Sequence, residues 1–190
     1  IHKARVESEQ KLREEMRGLL VGMGIKHAVF KVVITPLDHF TPTGKDDVSF
    51  LFAANKNQEP GELAKVASGG EISRLMLSLK YILSRTKQLP VIIFDEIDTG
   101  VSGEIAHSMA AMMKEMAERM QVISISHLPQ IAAAGDTHFK VYKEDDQEGT
   151  ISRIRRLTDE ERVIEIAGMI SGSVVSKAAL ENARLLLGQF

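Results

Sequence analysis

Three short strings in this sequence hold residue types that could act on a phosphate. In "KVASGGEISR", Ser68, Gly69, Gly70 and Glu71 place a small polar residue and two glycines directly before a helical pattern. Unpaired backbone N–H groups and the positive end of a helix would then face an anion. In "VIIFDEIDTG", Asp95 and Glu96 close an apolar run and Asp98 follows two positions later. An Asp at the end of a buried strand is a common Mg²⁺ anchor beside phosphates, which makes Asp95 the expected metal residue. Glu96 would orient or deprotonate an attacking water. His127, which closes the apolar run "QVISIS", would hydrogen-bond the terminal phosphate and sense its presence. Taken singly, each string has an ordinary structural reading: a capped loop, a solvated acidic turn, a structural histidine. Their order along the chain favours the chemical one. No Gly-x4-Gly-Lys-Ser/Thr loop, the usual cradle for a nucleotide, occurs anywhere.

These residues can meet only if the fold brings them to one edge. In an open parallel sheet, strands separated by helices deliver their carboxyl ends to the same side, so Asp95, Glu96 and His127 can converge although 31 positions separate the last two. The pattern supplies such elements. "VIIF" and "QVISIS" read as strands buried on both faces. Between them a helix from about Gly103 to Met120 buries Ala106, Met109, Ala110, Met113 and Met116 as core filler. The helix after Gly70 turns Ile72, Leu75, Met76, Leu79 and Leu83 toward a core. Upstream, "HAVFKVVITPL" and "DDVSFLFAAN" read as an antiparallel pair across "TPTGKD", with Ala28, Phe30, Val32 and Ile34 on one face, and residues 55–66 read as loop. Downstream, "THFKVYK" and "TISRIRRL" form a hairpin across "EDDQEG". Thr158 with Glu161 makes a capping box, and Ser176 caps the last helix. In the first 23 residues, Leu12, Met16, Leu19 and Met23 form a narrow seam. It suits the last turns of a coiled coil and an ordinary amphipathic helix equally well.

Composition narrows the partners. A chain of 190 residues, 44% hydrophobic, can bury one substantial core. With 24 basic and 26 acidic residues the net charge is -2, so any nucleic-acid contact must come from a local patch. The best candidate is Arg153, Arg155 and Arg156 with Lys140 and Lys143 nearby, for which a solvated strand face is the plainer reading. Without cysteine there is no disulfide scaffold and no thiolate metal site, as fits an intracellular protein. No apolar run is long enough to span a bilayer. The chain opens on Ile1 rather than Met, as expected of a piece of a longer protein.

"VASGGE", "VIIFDE", "IDTG" and "ISHLPQIA" resemble the signature, Walker B, D-loop and switch-histidine segments of ATP-binding-cassette ATPases. The longer strings "ASGGEISRLMLSLK", "FDEIDTGVSG" and "SHLPQIAA" resemble, within that class, the RecN family of SMC-like DNA-repair proteins. Two departures from the broad pattern are Ala67, where the signature usually has Leu, and "GVSG", where most cassettes carry "ALD". The second favours RecN and leaves the D-loop contacts beyond Asp98 open. The resemblance covers essentially the whole chain and implies an α/β fold. That fold is the C-terminal lobe of an ABC/SMC-type P-loop ATPase head, a mainly parallel sheet flanked by helices. Residues 1–23 would be the end of a coiled-coil arm and residues 24–190 the lobe. The resemblance further implies ATP and Mg²⁺ as cofactors. Ser68, Gly69 and Gly70 would serve nucleotide held by a second head, and Glu71 and Asp98 would also bind nucleotide. Asp95, Glu96 and His127 would serve the site whose P-loop lies in the N-terminal lobe of the same polypeptide. Implied partners are that lobe, a second head in an ATP-dependent homodimer, and double-stranded DNA ends, with no membrane. The implied setting is the bacterial cytoplasm, near the nucleoid. The isolated chain would be inactive. Two other readings stay open: a TOPRIM-like metal-dependent phosphoesterase using Asp95, Glu96 and Asp98, and a non-catalytic dimerisation module.

Overall fold

A computed structural model describes residues 1–63, 69–87, 89–101, 103–146, 149–172 and 174–188. Ser68 and Ala67 of the signature string, Ser102 of "GVSG" and Gln147 and Glu148 of the hairpin turn lie outside the described residues. By its internal contacts the chain forms two compact units: residues 1–90 with 97–109, and residues 91–96 with 110–190. Each is taken in turn.

The first unit opens with helix α1, His2–Gly22. Met16 and Leu20 are buried, as is Met23 just past its end, while Leu12 and Leu19 are half-buried, so the expected seam faces inward with Leu20 added to it. Gly24 ends it: at φ 81 its N–H donates to the Val21 carbonyl and that of Ile25 to the Leu20 carbonyl, a helix stop that needs a left-handed residue. A Cβ there would also meet Ile105 Cδ1 at 2.6 Å. Strands β1 (Val29–Thr41) and β2 (Gly44–Ala53) pair antiparallel, with Phe30 opposite Phe52 and Val32 opposite Phe50. Within the expected loop, β3 (Gly61–Glu62) adds a short edge to β2. Helix α1 is fastened near its start to the far end of this hairpin. There the buried Asp46 carboxylate accepts from Arg5 at 2.8 Å and bonds the His2 ring at 2.7 Å.

Helix α2 (Gly69–Ser84) packs on α1. Its buried face is Leu75, Leu77, Ser78, Tyr81 and Ser84, whereas Met76 and Leu83, expected to face the core, are exposed. The stripe can run through two serines because each satisfies its own hydroxyl, Ser78 on the Arg74 carbonyl and Ser84 on the Tyr81 carbonyl. Arg85 closes the contact with α1, lying over the Tyr81 ring at 4.4 Å and pairing with Glu15.

In the second unit β4 (Val91–Asp95) and β5 (Gln121–Ile125) pair in parallel, Val91 opposite Gln121 through to Asp95 opposite Ile125. This is the one parallel pairing among the described residues. The strands are joined through helix α3 (Gly103–Ala117), whose residues up to Met109 belong to the first unit and the rest to the second; Ala106, Met109, Ala110, Met113 and Met116 are all buried as its periodicity predicts. The expectation of two buried faces fails. Phe94 is buried and Ile92 and Val122 are half-buried, but Val91, Ile93, Ile123 and Ile125 are exposed by 42, 63, 42 and 52%. A parallel strand's continuous apolar run requires cover on both sides, and here one side is bare.

After β5 come the short helix α4 (Pro129–Ala134) and the hairpin β6 (Phe139–Asp146) with β7 (Gly149–Arg156). Helices α5 (Asp159–Ser171) and α6 (Lys177–Leu186) end the fold. The Thr158–Glu161 capping box and the Ser176 cap form as their sequences predict. Ala133 of α4, Val163, Ile166 and Ala167 of α5, and Ala179 and Ala183 of α6 make this unit's core.

Candidate functional site

The register of β4 and β5 decides what can meet. Asp95 is the last residue of β4 and lies directly opposite Ile125, the last of β5, so the two strand ends are flush. The Glu96 N–H donates to the Ile125 carbonyl at 3.0 Å, carrying the pairing one residue beyond the strand. His127 follows two positions after Ile125. With neighbouring strands about 4.8 Å apart, the Glu96 and His127 backbones lie within roughly 10 Å of each other. Asp95, Glu96 and His127, all solvent-exposed, therefore line one rim of one sheet.

Glu96 has φ 47, the one non-glycine residue with positive φ among those described. A left-handed conformation costs an L-residue about 1–2 kcal/mol, and such strain concentrates at functional positions. Nothing in the sequence signals it, because Gly or Asn would be the ordinary choice there. Along β4 side chains alternate, so Val91, Ile93 and Asp95 share a face. That face is the bare one. Asp95 thus sits at the carboxyl end of an uncovered apolar patch.

The other expected residues belong to the first unit. Helix α2 starts at Gly69, with Glu71 in its first turn, so its leading N–H groups lack intrahelical acceptors. A Cβ on Gly70 would come within 3.2 Å of the Thr99 carbonyl oxygen, which shows how closely the start of α2 approaches the segment after Asp98. Asp98 itself is 1% exposed. Gly69, Gly70, Glu71 and Asp98 thus form one group and Asp95, Glu96 and His127 another, and the division between units falls at the Glu96–Ile97 peptide.

The basic cluster looks different in three dimensions. Arg153 pairs with Glu144 at 2.8 Å, Arg155 with Glu161 at 2.6 Å, and Lys140 with Glu165. Three of its five cations are held by carboxylates, which leaves little surplus field for a nucleic-acid backbone. Glu161 is itself held below the usual carboxylate range by the Thr158 backbone N–H and then by Arg155. Nearby, burial pushes the half-buried His138 below the ordinary histidine value, and the Arg162 charge adds to it.

As a nucleotide site these residues fit in part. Asp95 could hold Mg²⁺ at the strand end and the N–H groups at the start of α2 could receive a phosphate oxygen. Among the described residues no three His, Asp or Glu side chains are grouped as a protein-only metal cage. No helix among them is long and apolar enough to cross a membrane.

The mixed α/β architecture with its small parallel sheet is that of the C-terminal lobe of an SMC-type head. The Smc head domain with a coiled coil and joint from Pyrococcus yayanosii superposes with a TM-score of 0.62, covering 86% of this chain and 29% of that one at 19% identity. A chain from work on ATP-driven dimerization and DNA-stimulated activation of SMC ATPases gives 0.57, covering 90% and 98% at 16% identity. At such identities the likeness is one of fold. Sequence carries the assignment further. The chain is 40% identical over 182 residues to the DNA repair protein RecN of Halalkalibacterium halodurans, covering 96% of this chain and 32% of that protein. It is 39% identical over 184 residues to the RecN of Deinococcus radiodurans, covering 97% and 32%. Over nearly its whole length the chain is thus similar to RecN proteins, and it spans about a third of the length of the curated relatives it matches. No protein-family model matches it.

Proposed function

We propose that this chain is half of the ATP-hydrolysing head of a RecN-type DNA-repair protein, contributing to two nucleotide sites and completing neither. The carrying observation is the flush parallel register that sets Asp95, Glu96 and His127 along one rim beside a bare apolar face. An N-terminal lobe of the same polypeptide, bearing the P-loop this sequence lacks, would cover that face and bring the nucleotide to the rim. Bound Mg²⁺ would neutralise the charge that develops on the phosphates during transfer. Asp95 would hold that ion. Glu96, fixed by its backbone bond to Ile125, orients the attacking water and takes its proton. His127 donates a hydrogen bond to the terminal phosphate. In the other unit, Ser68 and the backbone N–H groups of Gly69 and Gly70 receive the phosphate held by a second head, with Glu71 and Asp98 at that interface. This makes head engagement ATP-dependent. Double-stranded DNA ends are the expected target of the whole protein, near the nucleoid of the bacterial cytoplasm, and α1 would continue into a coiled-coil arm.

Glu96→Gln in the full-length protein tests the reading. It keeps size and hydrogen bonding but removes the base, so ATP turnover should fall at least a hundredfold, on the scale of general-base losses, while ATP-bound head dimers persist. Turnover at the parent rate would remove Glu96 from the chemistry and the reading with it.

A further inference from the structure

The segment that carries His127 is too short to hold itself in place. It consists of a three-residue link after β5, Ser126 to Leu128, and the six-residue helix α4, far below the length at which a helix is stable alone. Its near end is tied by the Leu128 N–H, which donates to Ser126 Oγ at 3.0 Å. Its middle is packed, with Ile131 and Ala133 buried. Its far end is held from outside. The Arg162 guanidinium, on α5, donates to the carbonyls of Ala133 at 3.4 Å, Gly135 at 2.5 Å and Asp136 at 3.3 Å. Lys114 of α3 pairs with the Asp136 carboxylate from another direction.

The last carbonyls of a helix have no intrahelical donors, and a cation there also meets the negative end of the helix dipole. A planar guanidinium presents its donors in a fixed fork, whereas the three donors of an ammonium rotate on a flexible stem and are held less firmly. Val163 and Ile166, beside Arg162 on α5, belong to the same core as Ala133. Helix α5 therefore grips α4 by both apolar packing and the guanidinium.

We propose that Arg162 is the positioning residue for His127, holding α4 so that the imidazole keeps its place on the rim. The proposal rests on the reading of His127 as the group that senses the terminal phosphate. Misplacement of a reacting group by about 1 Å can cost on the order of a hundredfold in rate, so fixing this segment matters more than its exposed surface suggests.

The test compares Arg162→Gln and Arg162→Lys in the full-length protein, with Glu96→Gln as control. Arg162→Gln should lower kcat for ATP by on the order of ten- to a hundredfold with KM within about twofold. Arg162→Lys, which restores the charge without the fork, should fall between. The amides of Leu128 and of residues 130–134 should exchange with deuterium faster in both variants, while those of β1 and β2 stay unchanged. If the glutamine variant does not fold, the lysine variant decides. Unchanged exchange in that segment overturns the proposal, as does faster exchange with an unaltered kcat, or a loss of kcat matched by a loss of nucleotide affinity. Should Glu96→Gln retain parent turnover, the ATPase reading fails instead, and the exchange measurement alone rules on Arg162.

Discussion

Replacing Ile93 and Ile125 together by Thr should leave this chain's own stability nearly unchanged and severely weaken the full-length protein. Both side chains stand on the bare face of β4 and β5, and both replacements keep the β-branched shape that suits a strand. The four apolar residues of that face leave uncovered the equivalent of about two whole side chains. Covering them is worth roughly 3–6 kcal/mol at 1.5–3 kcal/mol per side chain. Ile93 and Ile125 hold a little over half of it, so about 1.5–3 kcal/mol is lost when a partner lobe closes on the variant. Two hydroxyls then buried without acceptors add about 1–3 kcal/mol each. In the chain alone the same positions face water, and changes there stay within about 0.5 kcal/mol. Urea unfolding of the 190-residue chain and of the full-length protein, each with and without the double substitution, separates the cases. The midpoint should hold for the short chain and drop for the long one. Equal drops would mean that the face is already covered within this chain, and two unmoved midpoints would mean that nothing covers it at all; either result refutes the argument.

The isolated chain should not bind ATP at micromolar concentration. A helix end contributes about 0.3–1 kcal/mol at an exposed site, against the roughly 8 kcal/mol that micromolar affinity requires; calorimetric titration with Mg·ATP giving a micromolar Kd would contradict this. His138 should make stability pH-dependent in the weakly acidic range. Its folded pKa lies below the ordinary value, so its contribution is complete above about pH 6.5 and is lost as pH falls through the folded value. Arg162, Lys140 and Glu165 are the charges that act on it. Denaturation midpoints at about pH 7.5 and about pH 5.5 should differ more for the parent than for His138→Gln, which has nothing to titrate there; identical differences would show that burial of His138 is of no consequence.

What the sequence disclosed follows from which forces are local. The capping box at Thr158, the Ser176 cap and the methionine face of α3 are set by neighbours within a few positions, and they form as read. So is the strand–helix–strand order that brings Glu96 and His127 to one rim. The inward face of α2 departs from the expected one at Met76 and Leu83 because hydrophobicity alone ranks Met76 above Ser78, whereas a serine that bonds its own helix is not polar to its surroundings. The bare face of β4 and β5 was hidden for a different reason. An apolar strand reports the cover it needs, not whether this chain supplies it. Arg162 was missed because its acceptors are backbone carbonyls 26 to 29 positions away, which carry no residue identity. The acids that neutralise the basic cluster are equally silent in the local sequence, since the hairpin register and α5 bring them close.

The placement of Asp95 ties the apolar face to the chemistry. Whatever covers Val91, Ile93, Ile123 and Ile125 must also approach Asp95, which shares their face and is exposed while the face is bare. Removing water from an ionised carboxylate costs several kcal/mol unless a cation takes the water's place, a penalty comparable to the whole apolar gain from closing the face. A purely apolar cover would therefore gain almost nothing. On the proposed reading, a cover that arrived with Mg²⁺ and phosphates at the strand end would keep the gain and cancel the penalty, so lobe packing and nucleotide occupancy would reinforce one another through this one side chain.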